Sequence, residues 1–428
     1  MPRVGVVFIA IALWTVSAAD VSAQRVLSLA EAQTEARAAA PEVGELQARI
    51  SAADAVAAQA GRRFRDDPIV STSIFSGALL GHPDEHAWRV GIRQPFDFSG
   101  SRGPRLASAN ADVSRAQFDR DAGLRLLDER VAVAVADLAL AQRQVARAEQ
   151  LANLARIAAD AAHRQLDAGT APQIDADSAD LDLAGTRLTL EQANGDLAHS
   201  RTRLARLLGR ETPDALAVDD PLEPGDVGPA PPDVAPMVDR DPRVRAAMSE
   251  IDAARFERET FERLGRGPVT LGLDYGRERR DIPAGSFSGP PFGGGLTANW
   301  ADSDLVFNVT VPLPLFSRQL EPRARATGRM LAAEAALRRV RADVNAELRS
   351  AWDAFIAAAR AVQAVAATPA VLNRDAGFIE QAVRAGQFDA TTRVIALRRL
   401  EEAGRRLDLA VRDLRAARAA WVRVSEAP

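Results

Sequence analysis

Three stretches of the chain alternate apolar and polar residues with a period of two. Trp88, Val90 and Ile92 alternate with Arg89, Gly91 and Arg93. Val269, Leu271, Leu273 and Tyr275 alternate with Thr270, Gly272 and Asp274, and Leu305, Phe307, Val309 and Val311 with Val306, Asn308 and Thr310. Successive side chains of a strand point to opposite faces, so this pattern predicts strands with one apolar and one polar face. Ile69 to Phe75 is a weaker fourth strand. With its ends included, each run matches the roughly 9–11 residues of a tilted membrane-spanning strand. The same alternation also suits two soluble hairpins lying on a helical body. Trp88, Trp300, Phe96, Phe98 and Phe316, near the strand ends, suit an interfacial aromatic girdle.

Elsewhere the period is helical. Pro104 to Ala168 has no internal Pro and would extend roughly 100 Å as one helix. Its apolar track, Leu124, Leu127, Val131, Ala134, Leu138, Ala141, Val145 and Ala148, advances by alternating steps of three and four, a heptad seam. Leu126, Val133 and Leu140 form a second seam on an adjacent face, so one helix could pack against neighbours on both sides. An earlier helix runs from about Leu29 to Phe64, with Ser28 and Glu31 in a capping-box pattern.

The chain repeats itself. Adding 217 to Leu183, Leu190, Leu197 and Leu204 gives Leu400, Leu407, Leu414 and Trp421. The same offset takes Leu127, Val131, Leu138 and Val145 to Val344, Leu348, Phe355 and Val362, Pro95 to Pro312, and Gly169 to Gly386. Earlier positions pair at 201, as Pro41 with Pro242 and Ile50 with Ile251, so 16 residues enter the second repeat between its early and late parts. The Gly/Pro/Ser-rich run Ile282 to Asn299 is where they fit. Each repeat then reads helix, hairpin, long helix, turn, return helix. The second long helix, about Pro322 to Ala385, carries Pro369, where a kink or break is expected. The turns are Ala168-Gly169-Thr170 and Ala385-Gly386-Gln387, each with Gly after a helix C-terminus. The return helices end near Leu208 and Val424. An early helix and a return helix, stacked end to end, could line one long helix. The expected division is a signal peptide over 1–23, a first repeat over 24–212, a Pro-rich linker over 213–237 and a second repeat over 238–428.

Composition narrows the class. The chain has 428 residues, of which 47% are apolar but only 5% aromatic, which favours closely packed Ala-rich helices. A net charge of −4 gives no nucleic-acid footprint. There is no Cys, which removes disulfides, thiolate chemistry and lipid attachment through a cysteine. Arg3, the apolar run Val4 to Trp14 and Val21-Ser22-Ala23 have the order of a cleaved secretory signal, and the apolar run is shorter than the about 20 residues of a membrane span.

With these elements in order, the sequence resembles the TolC-like outer-membrane efflux proteins over nearly the whole mature chain. Gln94-Pro95-Phe96-Asp97-Phe98-Ser99-Gly100-Ser101-Arg102 resembles the strand-to-helix motif of the CzcC-like heavy-metal branch, and Val311-Pro312-Leu313-Pro314-Leu315-Phe316 resembles that branch's second junction. The resemblance implies a mostly α fold with a small β part. In it, three chains build a twelve-stranded transmembrane β-barrel continued by an α-barrel of coiled-coil hairpins. It further implies a homotrimer in outer-membrane lipid, working with a periplasmic adaptor and an inner-membrane pump of the resistance-nodulation-division type, with no cofactor and no catalysis. The cargo it suggests is divalent heavy-metal cations; a drug or small-molecule duct of the same fold is the alternative. Family tips carry Arg four residues before the Gly and Asp six after it. Here Gln165 and Ala382 stand at the Arg positions, and Thr392 at the second Asp position, while Asp175 fits the first. Asp175, Asp177 and Asp180 are therefore candidates for a tunnel gate, against ordinary acidic enrichment at a helix start.

His82, Asp84, Glu85 and His86 form a His-acid cluster able in principle to hold a divalent cation, though Pro83 and its polar neighbours also make a plain turn. His163 and His199 stand alone on helices. There is no phosphate loop or nucleophile elbow. A periplasmic coiled-coil adaptor or scaffold is a competing reading, and an exported hydrolase with a helical body a more distant one.

Overall fold

The computed structural model describes residues 25–64, 66–76, 86–212, 216–219, 233–264, 268–282, 298–312, 320–365, scattered positions from 367 to 385, and 390–425. The signal-like N-terminus, most of the Gly/Pro/Ser-rich run, the Leu313–Phe316 part of the second junction, Pro369, Gly386 and Gln387 lie outside them. In chain order the elements are β1 (Arg25–Leu27), α1 (Leu29–Ala39), α2 (Pro41–Ala60), β2 (Ile69–Ser76), β3 (His86–Phe96), α3 (Arg102–Asp167), α4 (Gln173–Leu207), β4 (Leu216–Val218), α5 (Ala235–Val238), α6 (Pro242–Arg263), β5 (Val269–Ile282), β6 (Ala298–Thr310), α7 (Leu320–Ala364) and α8 (Ala390–Ser425). The fold is mostly α with a small β part. The repeat is visible in the element starts: Gln173 and Ala390 open α4 and α8 at the offset of 217, and Pro41 and Pro242 open α2 and α6 at 201.

Two compact units form, and each draws on both repeats. One comprises Met1–Ala40, Leu127–Gly228 and Phe355–Ala419; the other comprises Pro41–Leu126, Pro229–Ala354 and Ala420–Pro428.

In the first unit the heptad seam of α3 is the core: Leu127, Val131, Ala134, Leu138, Ala141 and Ala148 are buried. The second seam is partly covered, with Val133 and Leu140 half-buried. Leu126 is exposed, while Val135, Ala136 and Ala139 are buried instead. Ala-rich positions let helices approach closely: Ala159 and Ala162 of α3 pack on Ala179 of α4, with Leu183 against them. Leu151 and Ala158 of α3 meet Ala396 and Leu400 of α8. A short parallel pair, β1 on β4, was not foreseen. It runs from Arg25 opposite Leu216 to Leu27 opposite Val218, and β4, read as linker, is buried throughout.

In the second unit Val244 of α6, Val344 and Leu348 of α7 and Val424 of α8 form a buried cluster with Trp421 against it. Its sheet has the order β2-β3-β5-β6, all antiparallel.

One helix expectation is corrected, and the break expected in the second long helix is present. The first helix is two, α1 and α2, because Ala40 is extended with ψ of 129°. The residue before a proline, here Pro41, is pushed out of the α region by the ring. The capping box of Ser28 and Glu31 is present as expected. The second long helix stops at Ala364, and helical positions resume at Thr368. A proline ring at 369 would meet the carbonyl four residues earlier, that of Val365, so the chain leaves the α ladder there.

Candidate functional site

Register sorts the four strands into two unlike faces. Val70, Ile92, Leu273 and Phe307 lie in one row across the sheet, and Thr72, Val90, Tyr275 and Leu305 in the next. Ile74 and Trp88 continue that face, where Ile74 is 81% and Leu305 69% exposed. A continuous apolar face of this kind marks a surface that meets protein or lipid. Trp88 and Tyr275 meet edge-on, ring centroids 5.6 Å apart, at its hairpin side. At the helix side Phe64, Phe96 and Phe98 cluster, with centroids 5.6 and 5.9 Å apart.

The opposite face is polar and paired. Arg89 donates to Asp304 at 2.7 Å, Arg93 stands 3.6 Å from Asp274, and Asn308 donates to Asp274. Gly91, Gly272 and Gly276 lie in the same rows. A Cβ at Gly91 would overlap the Asp274 carboxylate, and one at Gly276 would overlap Asp304. The glycines make room for the charges.

The first junction motif is structural. Beyond the last residue of β3, Asp97 accepts from the Ser99 amide at 2.9 Å and from the Ser99 and Ser101 hydroxyls. Burial opposes its ionisation, but Ser101, Ser99 and Arg105 outweigh that and hold the carboxyl below its usual range. Gly100 takes φ of 75°, and its carbonyl accepts from Arg263 at 3.1 Å. Arg102 donates to the Gly61 carbonyl at 2.8 Å and Arg105 to that of Ala60 at 3.1 Å. The motif thus fastens the start of α3 to the end of α2.

The first tip closes as expected. Gly169 has φ of 69°; its amide donates to Leu166 at 2.8 Å and that of Thr170 to Gln165 at 2.9 Å, satisfying the last carbonyls of α3. Ala168 precedes it, its amide on Arg164 at 3.1 Å. At the second tip, Ala385 donates to Gln381 at 3.0 Å. Asp175, Asp177 and Asp180 sit in the first turns of α4 but do not share one face. Residues advance 100° each around a helix, so Asp177 and Asp180 are neighbours and Asp175 lies far round from Asp177. Asp177 accepts from Gln173 at 2.8 Å, and Asp180 lies 3.1 Å from the His163 ring of α3. Of the His-acid cluster only His86 is described: it opens β3, exposed, between Ser76 and Arg279. His82, Asp84 and Glu85 fall outside the described residues.

Some groups escaped the sequence reading. Asp137 of α3 is held by Arg203 of α4 at 2.8 Å and Arg412 of α8 at 2.7 Å. Asp408 of α8 is fully buried against Arg147 at 2.8 Å and Arg143 at 3.8 Å, and burial pushes its carboxyl up against both. Arg147 passes over Gly404, where any Cβ would collide with its guanidinium. A Gly one turn before an Asp, inside a helix, was the available signal.

The family model for outer membrane efflux proteins matches residues 32–210. The cobalt-zinc-cadmium resistance protein CzcC of Cupriavidus metallidurans is 25% identical over 226 residues, 52% of this chain; the chain spans about half of that relative, 49%. The nickel-cobalt-cadmium resistance protein NccC of Alcaligenes xylosoxydans xylosoxydans is 26% identical over 82% of this chain and 74% of its own length. A membrane protein from Pseudomonas aeruginosa shares the fold with a TM-score of 0.72 at 16% identity, covering 93% of each chain. CusC does so with 0.69 at 15% identity, over 94% of this chain and 92% of its own. Over residues 32–210 the chain therefore matches the outer membrane efflux proteins, and it is similar in sequence to the heavy-metal resistance proteins CzcC and NccC.

Proposed function

We propose that this chain is the outer-membrane duct of a three-part efflux system, one protomer of a homotrimer that conducts cargo passively. The carrying observation is the sheet: apolar on one face, ion-paired on the other, with β2 and β6 each bonded on one side alone among the described strands. In lipid, open edges leave backbone groups without partners. Closure with further copies removes the edges, turning the apolar face to lipid and the polar face to a lumen. Three copies of four strands give the twelve-stranded barrel that the resemblance implies. Among the described residues no helix is long and apolar enough to cross a membrane.

The cargo we favour is divalent metal cations, because the two sequence relatives are named for resistance to cobalt, zinc, nickel and cadmium. The partners are a periplasmic adaptor and a pump of the resistance-nodulation-division type, and the protein itself makes or breaks no bond. The tips at Gly169 and Gly386 are the periplasmic end of this duct, and its gate is drawn from the acidic first turns of α4, Asp175, Asp177 and Asp180, of which Asp175 faces away from the other two. The chain reaches the outer membrane after cleavage of residues 1–23 and without lipidation. Purification of the mature protein in detergent, with mass measurement and planar-bilayer recording, tests this. A conducting trimer is expected. A monomer that is soluble without detergent and silent in bilayers would instead favour the periplasmic scaffold.

A further inference from the structure

On the apolar face of the sheet, the rows beyond Trp88 and Tyr275 change character. Arg277 stands opposite Trp88 and Ser303, and Arg279 opposite His86 and Ala301. By the period of two these residues continue the face of Leu273 and Tyr275. Both arginines are exposed, and among the described side chains neither takes part in an ion pair. This contrasts with Arg89 and Arg93 on the other face, which are matched by Asp304 and Asp274. The rows lie at the hairpin ends of the strands, away from the ends that continue into helices.

We infer that Arg277 and Arg279 dock the phosphate of a lipid headgroup, on the membrane leaflet that the hairpin ends reach. This rests on the duct reading, in which the apolar face meets acyl chains. An amphipathic aromatic pair marks the headgroup level. A guanidinium just beyond it, on the lipid side and with no carboxylate partner among the described side chains, has phosphate as a natural partner, bound through a planar fork of donors. Two arginines at alternate positions of one strand stand side by side on one face, about 7 Å apart, near enough to engage one doubly phosphorylated headgroup.

The test uses the mature protein in detergent and a bis-phosphorylated acyl-glucosamine disaccharide lipid, with its dephosphorylated form as control. Bound lipid is read by native mass spectrometry, and pore formation of the same preparations in neutral planar bilayers. The wild type is expected to prefer the phosphorylated lipid, and R277Q/R279Q to bind it about 30-fold more weakly while still forming pores. R277K/R279K should keep much of the charge-driven part. Pores with no preference between the two lipids, or an unchanged double variant, would overturn the headgroup site and leave the duct standing. Displacement by inorganic phosphate at equal concentration would reduce it to a small-anion site. Absence of pores in every preparation would remove the duct, and the inference with it.

Discussion

At the scale of single residues, the sheet divides its work by size. Gly91 is there because Asp274 needs the space, and Asp274 because Arg93 and Asn308 need a carboxylate. Gly91→Ala should force that carboxylate from its partners, at about 1–3 kcal/mol, a typical overpacking cost. Gly44 in α2 has nothing within 4 Å of a Cβ. There Ala removes helix-disfavouring backbone freedom and should stabilise by about 0.5–1 kcal/mol. Thermal melts of the two variants in detergent should therefore shift in opposite directions; a Gly91→Ala melt equal to wild type would mean the carboxylate moves freely. The alternation that marks Gly91 as polar-side was legible in the sequence. What it faced was not, because the partner lies on another strand far along the chain.

At the scale of elements, helices are joined by ion pairs that periodicity cannot reveal. Glu347 of α7 accepts from Arg243 of α6 at 2.9 Å and from Arg423 of α8 at 3.2 Å. Burial works against its charge, but the two arginines prevail and hold its carboxyl below the usual range. A group whose folded pKa is depressed contributes stability above its unfolded pKa, near 4.3, and loses it as pH falls through the folded value. Glu347→Gln should thus be less stable than wild type at neutral pH. The gap should close below about pH 4, and it should be modest because the side chain is partly exposed. Denaturant midpoints between pH 3 and 7 would show it; a gap independent of pH would assign the loss to packing.

The elements themselves were mostly readable: the α3 seam, the capping box at Ser28, and the Gly169 turn follow from local chemistry. The break at Ala40–Pro41 was readable too, since proline restricts its predecessor, but the shared periodicity of α1 and α2 concealed it. β1 and β4 were not readable, being three residues each with partners far along the chain: each other, Arg201 on the Leu216 carbonyl and Gln142 on the Val218 amide. At the tip, Asp175, Asp177 and Asp180 were found together in sequence, yet the helix fans them around its axis. If the acidic turn gates cation passage, Asp175→Asn with Asp177→Asn should lower the cation-to-anion permeability ratio in bilayers by about threefold or more, the order of one to two lost charges at a constriction. An unchanged ratio would make the cluster an ordinary acidic helix start. Asp180 is left unaltered in that test because His163 already engages it.

At the scale of the molecule, the question is what meets the free edges of β2 and β6. Among the described residues one chain supplies a sheet of four strands with β2 and β6 at its edges, and a strand edge with unused amides recruits another. For copies to close into a ring of three, β6 of one copy must meet β2 of the next, a head-to-tail contact that closes when the rotation allows. The absence of cysteine makes this directly measurable. Single cysteines placed along β2, at Val70, Thr72 and Ile74, combined one at a time with cysteines at Leu305, Phe307 and Val309 of β6, scan the possible registers without background. Within one chain β3 and β5 lie between these strands, so a bond that forms joins two copies. A disulfide needs Cα atoms about 4.4–6.8 Å apart, so only combinations near the true register should oxidise readily. Those should yield covalent species up to three chains and no further, since the third bond closes the ring. A ladder running past three would indicate an open, helical assembly instead. No bond in any combination would mean that the edges are covered by something other than this chain, and that the polar face of the sheet lines no lumen built by copies of itself.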